Sequence, residues 1–521
     1  MLYYWIMRES FLGKQDKKMS DALVVLAKAV AELPQDLRYP AVKPRLLVVG
    51  GYVRDLIRGE MSKDVDVEVY GVSPAALAKF LLQRYPGCVK DVGKSFGIFK
   101  VMWGMGGDLD VALPRRERKV GVRHTDFVVD SDPGLSVGEA LRRRDFTINA
   151  IAWDPLSDEV IDPYGGVGDI EAGVLRCVDV RTFVEDSLRV YRAVQFAARF
   201  GFVIEEKTFE VMKGMVEKGE LGYLPAERVT DELRKMLMQS VHPSVGLELM
   251  EHLGILAKYY LELAVLRDTK QDVLWHPEGD VLTHTGMVVD NAAGLIRDGR
   301  IVLSDLEKEQ VMLGALCHDL GKPATTKEVD GHIRSRGHEE KGREVAAEFL
   351  RKFTFGGDVI DAVLAVTAEH LKPGMLFRSL EKGELSEKQY AAAVRKLLRR
   401  VLPASWRVLV TVAEADYRGR GVSAEVGVAG VYSVADVGVE YKAGVKLAEV
   451  VAKAGLEETL KTTLVRGEDV MEIAARVGVV VSAGPKFGEL IRTVEEMRDS
   501  GDVVTREEGL NKLEELIRKL V

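Results

Sequence analysis

Two aspartates, Asp64 and Asp66, stand two positions apart in the run DVDVEVYG. Residues two apart in a β-strand project from the same face, so their carboxylates would lie side by side. The glycine pair Gly50-Gly51 follows the apolar run LLVV upstream, and Arg54 comes three residues later. Backbone N–H groups at such a turn and an arginine side chain both bind phosphate. These residue types predict phosphoryl transfer that depends on Mg²⁺, an ion that prefers carboxylate and phosphate oxygens.

Each of these features is common by itself. A pair of acids is usually a solvated part of the surface, and a glycine pair usually marks an ordinary turn. Here they occur together in a strand–turn–helix–strand context, which favours the site. Asp110, in the segment DLDVALP, would add a third carboxylate from a neighbouring strand.

The elements that must position these acids are short and alternate between strand and helix patterns. The runs LLVVGG, VDVEVYG, IFKVMWG and LDVALP are rich in β-forming residues. Between the second and third runs, Ser73 and Pro74 form a helix start signal, and Pro86-Gly87 form a stop signal. The pattern predicts a small α/β domain that ends near Pro155.

The basic stretch LRRRDFTINAIAWDP carries Arg144, Asp145 and Asn149, and by itself it is consistent with a basic loop that enters a strand. Together, GGYVRD…KDVDVEVYG and RRDFTINA resemble class II tRNA nucleotidyltransferases and bacterial poly(A) polymerases of the polymerase-β-like superfamily. The resemblance implies that Asp64 and Asp66 hold Mg²⁺. It also implies nucleotide binding by a larger set, namely Gly50, Gly51, Arg54, Arg144, Asp145 and Asn149.

The segment VEDSLRVYRAVQFAARFGF predicts a helix on which Asp186 and Arg189, three apart, share a face. An ion pair between them is the simple interpretation. An Asp acceptor beside an Arg donor also complements cytosine and adenine, whereas guanine and uracil would leave buried polar groups unpaired. The stretch resembles the EDxxR motif with which the family selects bases, and this adds Arg192. Arg228, in a later family element, would support the pocket, and Gln195 departs from the family pattern.

The segment PRRERKVGVRHTDFVVDSDP, residues 114–133, is strongly basic. It is either a solvated loop or, as the resemblance implies, the flexible loop that switches the pocket from C to A. Further arginines, at 142–144 and in the run RKLLRR at 395–400, would line an RNA backbone together with Arg189 and Arg192.

Histidines are concentrated further along the chain, where His318 and Asp319 are adjacent in LGALCHDLGK. Imidazoles and carboxylates from several helices fit a divalent metal site with open positions. The pattern resembles the HD phosphohydrolase superfamily, which implies a metal quartet and two auxiliary histidines. The quartet would be His284, His318, Asp319 and Asp416, and the auxiliary residues His338 and His370. The ion would be Mg²⁺, Mn²⁺, Ni²⁺ or Co²⁺, and the substrates 2′,3′-cyclic phosphates or monophosphates at RNA ends.

Composition limits the class of protein. Three scattered cysteines fit neither a disulfide framework nor a CxxC metal site, and they favour a reducing cytoplasm. No apolar run reaches the ~20 residues of a membrane span. The net charge of −8 argues against wholesale coating of nucleic acid, although local basic tracks remain.

The predicted fold is an α/β nucleotidyltransferase head, with a polymerase-β-like mixed sheet and helices, followed by a mostly α-helical neck, an HD-type body and a tail. The predicted segments are an N-terminal extension (1–45), the head (46–155), a nucleotide-selecting and RNA-binding neck (156–270), the HD domain (271–420) and a tRNA-binding tail (421–521). The oligomeric state is left open.

The predicted function is addition of CCA to the 3′ end of tRNA from CTP and ATP, with HD phosphohydrolase activity as a second function. Two alternatives stay open. One is an A-adding enzyme or poly(A) polymerase, and the other is an HD phosphohydrolase with an inactive RNA-binding head.

Overall fold

The structure is a computed structural model that describes residues 14–60, 62, 64–93, 98–102, 108–119, 127–420, 440–454, 463–479, 485–500, 502–503 and 505–519. The middle of the predicted basic loop, with Gly121 and Arg123, lies outside these residues. The chain divides into two compact units. The first comprises Met1–Leu233 and Leu249–Tyr259, and the second comprises Arg234–Glu248 and Tyr260–Val521.

A seven-stranded mixed sheet is the centre of the first unit. The strands are β1 (Arg45–Val49), β2 (Val65–Tyr70), β3 (Val89–Gly93), β4 (Ile98–Met102), β5 (Asp108–Ala112), β8 (Ala152–Asp154) and β9 (Glu159–Ile161). They lie in the order β3-β4-β5-β2-β1-β8-β9. Strands β2 and β5 run parallel, and the other neighbouring pairs run antiparallel. A separate hairpin pairs β6 (Arg115–Lys119) with β7 (Phe127–Ser131), and β10 (Val174–Leu175) pairs with β11 (Val203–Ile204).

Apolar β-forming residues explain this sheet, because the side chains of β1 are buried from Leu46 to Val49. Leu47 and Val49 belong to a core cluster with Tyr70, Leu141 and neighbouring alanines. On β2 the pattern is interrupted at one residue, Asp66, which stays exposed between buried valines. The mixed sheet therefore delivers an acid to the surface from a strand that is otherwise buried.

Helices lie between and after these strands along the chain, as far as residue 259. They are α1 (Lys14–Ala31), α2 (Gly51–Ile57), α3 (Pro74–Arg84), α4 (Val137–Arg142), α5 (Gly166–Ala172), α6 (Val180–Phe183), α7 (Leu188–Phe200), α8 (Glu206–Glu217), α9 (Ala226–Gln239), α10 (Ser244–His252) and α11 (Ile255–Tyr259), with 3₁₀ turns at Thr147–Asn149 and Glu220–Tyr223. The predicted start of α3 is confirmed, because the Ser73 hydroxyl accepts a hydrogen bond from the Ala76 N–H.

The predicted helix around Asp186 and Arg189 was wrong at its beginning. Helix α7 begins at Leu188, so Asp186 precedes it. The physical reason is local, because the Asp186 carboxylate accepts a hydrogen bond from the Leu188 N–H at 3.1 Å. Short acidic side chains commonly compete with helical hydrogen bonding in this way. The two residues therefore do not share a helix face.

The second unit is helical. Its helices after residue 260 are α12 (Leu261–Ala264), α13 (Val281–Asp298), α14 (Asp305–Cys317), α15 (Lys322–Thr325), α16 (His338–Leu350), α17 (Gly357–Glu369), α18 (Lys372–Glu381), α19 (Glu387–Arg400), α20 (Trp406–Gly419), α21 (Lys442–Ala454), α22 (Gly467–Val477), α23 (Pro485–Ser500) and α24 (Arg506–Arg518). A hairpin joins β12 (Lys327–Val329) to β13 (His332–Arg334). None of the described helices is long and apolar enough to cross a bilayer.

Four helices, α13, α14, α17 and α20, pack together in the second unit, with α14 contacting each of the other three. Small side chains permit their close approach, since a Cβ at Gly314 would lie 3.1 Å from a Val412 methyl group. A separate core brings together Val465, Val470, Val494 and Leu513 near the C-terminus. This four-helix group positions His284, His318 and His370, which are described below.

Candidate active sites of the two units

Three aspartates meet on and beside two neighbouring central strands of the sheet in the first unit. Asp66 on β2 lies directly opposite Asp110 on the parallel strand β5. Asp64, just before β2, is close enough for its negative charge to raise the pKa of both other acids. The structure therefore brings together the three carboxylates that the sequence predicted.

The nearby cations do not fully compensate this cluster, because the pKa values of Asp66 and Asp110 are raised even though Arg144 and Lys100 act to lower them. Reduced hydration raises the pKa of Asp66 although its side chain is partly exposed, and Asp110, Glu68 and Asp64 add to the shift against Arg144. Reduced hydration also raises the pKa of Asp110. Its buried Oδ1 has no hydrogen-bond partner in the part of the chain that the structure describes. Oxygen ligands that repel one another fit a hard divalent cation.

Glu68 is a central residue of this site that the sequence analysis missed. It is 1% exposed, and its carboxylate accepts hydrogen bonds from Arg143 at 3.1 Å, Arg144 at 3.3 Å and the Tyr70 hydroxyl at 2.8 Å. Burial by itself would raise its pKa, but the two arginines hold it below the usual value. Residues two apart in a strand share a face, so the spacing that singled out Asp66 also predicts Glu68 on that face. This spacing could have identified Glu68 from the sequence.

The turn at Gly50 packs closely against the side chains of Arg144 and Asp66. Gly50 has a φ of +77°, and a Cβ there would lie 2.5 Å from Arg144 Nη1 and 3.2 Å from Asp66 Oδ2. Only glycine fits this close approach in the left-handed region. The Gly50 N–H donates to the Ile151 carbonyl at 3.3 Å, so it is not free for an anion. The role of Gly50 is therefore to let Arg144 approach Asp66.

Arg54, predicted to bind phosphate, is 5% exposed and already bound within the protein. It donates to Asn149 Oδ1 at 2.7 Å and to Asp55 at 2.8 Å. The Asn149 amide in turn donates to Asp145 Oδ1 at 2.9 Å. Arg54 therefore links α2 to the RRDFTINA segment and forms part of the wall of the site. Gly51 lies at the first position of the same helix.

Asp145 is the central residue in the hydrogen bonding of the RRDFTINA segment. Its second oxygen accepts a hydrogen bond from Arg192 Nε at 2.7 Å, and its backbone neighbour Phe146 donates to the first. Burial by itself would raise the pKa of Asp145, but Arg192 and Asn149 lower it to about 2. Three predicted residues, Asp145, Asn149 and Arg192, thus form one network with Arg54.

The predicted base-reading pair has other partners in the structure. Asp186 accepts a hydrogen bond from Arg228 at 3.2 Å, as expected for a supporting arginine. Arg189 donates to the backbone carbonyls of Thr182 at 2.7 Å and Arg143 at 2.6 Å. These contacts leave further N–H groups on Arg189 and further lone pairs on Asp186. The remaining hydrogen-bonding edges of the Asp186 carboxylate and the Arg189 guanidinium group are thereby held in a fixed orientation.

Several arginines of the predicted RNA track form ion pairs within the protein. Arg142 pairs with Asp179, Arg399 with Glu495 at 2.5 Å, and Arg400 with Glu369 at 2.6 Å. Pairing with carboxylates reduces the net positive charge that these arginines present. The basic runs therefore form a weaker positive track than their sequence predicts.

A buried cluster in the second unit contains all four residues of the predicted HD quartet. His284 comes from α13, His318 and Asp319 follow α14, and Asp416 lies on α20. His284 Nε2 lies 3.2 Å from Asp416 Oδ1 and 3.7 Å from Asp319 Oδ2, and His318 Nε2 lies 3.1 Å from the same Asp319 oxygen. Residues 132 positions apart in the chain therefore meet at one point.

The two predicted auxiliary histidines adjoin the quartet. His338 Nε2 lies 3.3 Å from Asp319 Oδ1, and the rings of His338 and His370 lie 5.5 Å apart. Backbone carbonyls orient three of these rings, since the Nδ1 atoms of His318, His338 and His370 lie 2.7 to 2.8 Å from the carbonyls of Ala315, Ser335 and Thr367. Their Nε2 atoms then face the cluster, which is the arrangement that metal-binding histidines adopt.

Charge inside this cluster fits a metal. Burial by itself would raise the pKa of Asp319, but His318 and Lys322 hold it well below the usual value. Burial lowers the pKa of His370 to about 3, so it is neutral and able to ligate. The Nε2 atoms of His318, His338 and His370 and the Oδ2 of Asp319 lack a well-formed hydrogen bond within the described residues. Buried donors of this kind suit a divalent ion.

The sequence analysis missed four further residues that contact this cluster. Glu278 Oε1 lies 2.8 Å from Nδ1 of both His276 and His284. Lys322 Nζ lies 2.6 Å from Asp319 Oδ2, and Arg420 donates to Asp416 Oδ2 at 2.7 Å. The signals were present as spacing, since Lys322 is three residues after Asp319 and Arg420 is four after Asp416 on helical segments.

An open cavity of about 220 Å³ gives access to this cluster. Its lining includes Asp319, Asp416, His338 and His370, so a small molecule in the cavity would contact the predicted ligands directly.

Comparison with known families supports the division into parts. The chain matches the poly A polymerase head domain over residues 46–176. It matches the "Probable RNA and SrmB- binding site of polymerase A" over 201–266 and the HD domain over 281–401. The predicted segment boundaries themselves stay predictions.

The Multifunctional CCA protein of Pasteurella multocida is 35% identical over 383 residues, which are 72% of this chain and 84% of that protein. The chain belongs to this family. The family member of Stenotrophomonas maltophilia is 39% identical over 331 residues, 63% of this chain and 76% of that protein.

Solved structures of CCA-adding enzymes have the same fold as this chain. The Bacillus stearothermophilus CCA-adding enzyme in complex with CTP has a TM-score of 0.58 at 21% identity, covering 98% of this chain and 99% of that chain. The Thermotoga maritima CCA-adding enzyme complexed with tRNA_CCA has a TM-score of 0.54 at 20% identity, covering 97% of each chain. The predicted fold class and family are confirmed, and with them a nucleotidyltransferase that carries an HD domain.

Proposed function

We propose that this protein adds C, C and A from CTP and ATP to the 3′ end of tRNA. The observation that carries the proposal is the direct opposition of Asp66 and Asp110 on parallel strands, beside Asp64 and Arg144. This arrangement places three metal ligands next to a cation that can bind phosphate. The names of the relatives support CCA addition over unrelated phosphoryl transfers.

Asp64, Asp66 and Asp110 would hold Mg²⁺. The bound ion supplies charge neutralisation at phosphate oxygens and lowers the pKa of a hydroxyl nucleophile. Arg144, fixed by Glu68 and by its contact with Gly50, offers a guanidinium group to the triphosphate. Asp145, Asn149 and Arg54 hold the wall of the site in place and thereby keep the nucleotide oriented.

Base choice would depend on the remaining hydrogen-bonding edges of Asp186 and Arg189. Because backbone carbonyls and Arg228 fix these groups, a base that mismatches them cannot be accommodated by rotation of the side chains. An unpaired buried donor or acceptor costs about 1–3 kcal/mol, and two such groups against G or U would exclude those bases.

The test is incubation with tRNA that lacks CCA and with each nucleoside triphosphate separately. We expect C from CTP alone, then a single A when ATP is added. Asp66→Ala should abolish both additions, while Asp108→Ala, on the same strand as Asp110 but paired with Lys100, should retain them. Addition of A without C, or runs of A, would support the A-adding enzyme or poly(A) polymerase instead.

We also propose a metal-dependent phosphohydrolase activity in the HD domain, because the six predicted residues form one buried cluster and four of them, Asp319, His338, His370 and Asp416, line a cavity. His284, His318, Asp319 and Asp416 would hold Mg²⁺, Mn²⁺, Ni²⁺ or Co²⁺, and 2′,3′-cyclic phosphates or monophosphates at RNA ends are the proposed substrates. Each metal should be tested with a 2′,3′-cyclic nucleotide. Asp319→Ala should remove hydrolysis, and Asp361→Ala, an exposed acid on α17, should not. Hydrolysis that survives Asp319→Ala would refute this site.

The two proposed activities should be separable by substitution, and that result would exclude a head that only binds RNA. Asp66→Ala should spare hydrolysis, and Asp319→Ala should spare nucleotide addition. A protein with no addition activity before any substitution would favour the HD phosphohydrolase alternative. The cytoplasm is the proposed location, in agreement with its free cysteines.

A further inference from the structure

The indole of Trp275 is exposed beside the HD cavity. Its side chain lines that cavity, yet the residue is 66% exposed. The preceding residue, Leu274, is 80% exposed but does not line the cavity. A large aromatic surface kept in water at the mouth of a polar cavity costs hydrophobic free energy, and such surfaces commonly mark binding sites. Neither the metal cluster nor the nucleotidyltransferase head uses this residue.

The backbone turn that presents Trp275 is held by hydrogen bonds. The N–H groups of Trp275 and His276 donate to the Asp272 carbonyl at 3.0 and 2.9 Å. The Asp272 carboxylate accepts a hydrogen bond from the Leu274 N–H at 3.0 Å, and its other oxygen lies 3.1 Å from His332 Nδ1. The indole is thus attached to an ordered turn, and binding would cost little additional loss of backbone entropy.

The same turn is connected to the predicted metal ligands. His276, next to Trp275, shares Glu278 Oε1 with His284, and the rings of the two histidines lie 4.8 Å apart. A molecule stacked on Trp275 would therefore lie at a fixed distance from the cluster.

The cavity offers cations on its inner side and an aromatic group at its mouth. Lys322 and Arg420 line it, and Arg420 Nε has no hydrogen-bond partner among the described residues. Its volume of about 220 Å³ is below the ~300 Å³ of the smallest usual ligand pockets. A phosphate and its sugar would fill it, and a base would have to lie at the mouth, where Trp275 is.

We propose that Trp275 is a stacking surface for the nucleobase of a terminal nucleoside phosphate whose phosphate enters the HD cavity. This inference rests on the proposed phosphohydrolase function and assigns a specificity residue to it. Stacking accepts any base, since every base has a π-face. The site would thus select nucleoside phosphates over phosphate esters without a base, with little preference among bases.

The test compares 2′,3′-cyclic AMP with glycerol 1,2-cyclic phosphate, which has the same ring but no base. Loss of base stacking corresponds to about a tenfold rise in KM. We expect Trp275→Ala to show this rise for cyclic AMP with kcat nearly unchanged, and no change for the glycerol ester. Trp275→Phe should restore most of the affinity, and Leu274→Ala should match the wild type. An equal change for both substrates, or none for either, would overturn the proposal.

A binding measurement separates failure of this inference from failure of the phosphohydrolase function. With metal chelated, 3′-AMP should quench tryptophan fluorescence in the wild type more than in Trp275→Phe, whether or not the protein hydrolyses anything. Equal quenching in both would refute stacking at Trp275. Quenching that depends on Trp275 in a protein with no hydrolysis would retain the base site and refute only the phosphohydrolase function.

Discussion

The two predicted metal sites differ in how the negative charge of their carboxylates is balanced. In the head, three carboxylates lie on and beside two central strands with partial exposure, and the pKa values of Asp66 and Asp110 are raised. In the HD domain, Asp319 and Asp416 are buried, yet their pKa values are lowered well below the usual range. Lys322 and Arg420 supply positive charge there, together with His284 and His338, whose pKa values are raised by neighbouring carboxylates despite their burial. The carboxylates of the head depend on an added cation to balance their negative charge, whereas the HD cluster contains cationic side chains that do so.

This difference predicts that removing one acid from each site will change stability in opposite directions. A carboxylate with a lowered pKa stabilises the folded state when ionised, and one with a raised pKa destabilises it. Metal-free protein isolates these contributions, since no ion is then present to offset the repulsion.

The largest effect is expected for Asp319→Asn in metal-free protein. It leaves Lys322 and the neighbouring histidines in a buried site without their counter-charge, which should lower the free energy of unfolding by about 3 kcal/mol. Urea unfolding of the second unit in a chelating buffer measures it, with Asp361→Asn as the exposed control. Equal stability of Asp319→Asn and the wild type would show that the cluster does not balance its own charge.

A smaller effect is expected for Asp145 as pH falls. Its pKa of about 2 means that its ionised form stabilises the fold above pH ~4, and that this contribution is lost between pH ~4 and ~2. Asp145→Asn should therefore cost about 2 kcal/mol at pH 7 and progressively less below pH 4. Urea unfolding from pH 7 to 3, beside the exposed control Asp21→Asn, measures the loss. A cost that does not change with pH would assign it to packing instead of charge.

The smallest effect, with the opposite sign, is expected for Asp66→Asn. Its raised pKa makes the charged form unfavourable, so stability from the protonated form is lost as pH rises through that pKa. Because solvent screens this partly exposed group, the variant should gain only about 0.5 kcal/mol at pH 7 in metal-free protein. Thermal unfolding with and without Mg²⁺ checks it, since added Mg²⁺ should stabilise the wild type and not the variant. A loss of stability would contradict the uncompensated repulsion proposed for the head.

The sequence could relate some residues of the head because those relations are local. Asp66 lies on β2 and Asp64 comes just before that strand, and the Ser73-Pro74 helix start depends on neighbouring residues only. The helix around Asp186 was placed wrongly because a side-chain hydrogen bond to Leu188 competes with the helical pattern. The partners of Arg54 could not be predicted, since Asn149 is 95 residues away.

The sequence by itself determined which groups this protein has for metal and nucleotide chemistry, and which of them share a strand or a helix turn, because those relations follow from backbone periodicity. Tertiary structure decided which groups meet. It placed Asp110 opposite Asp66, Glu68 under Arg143 and Arg144, and Glu278 against His284. The physical reason is that burial and opposing charge set the electrostatics of a site, and both arise only when distant segments pack together.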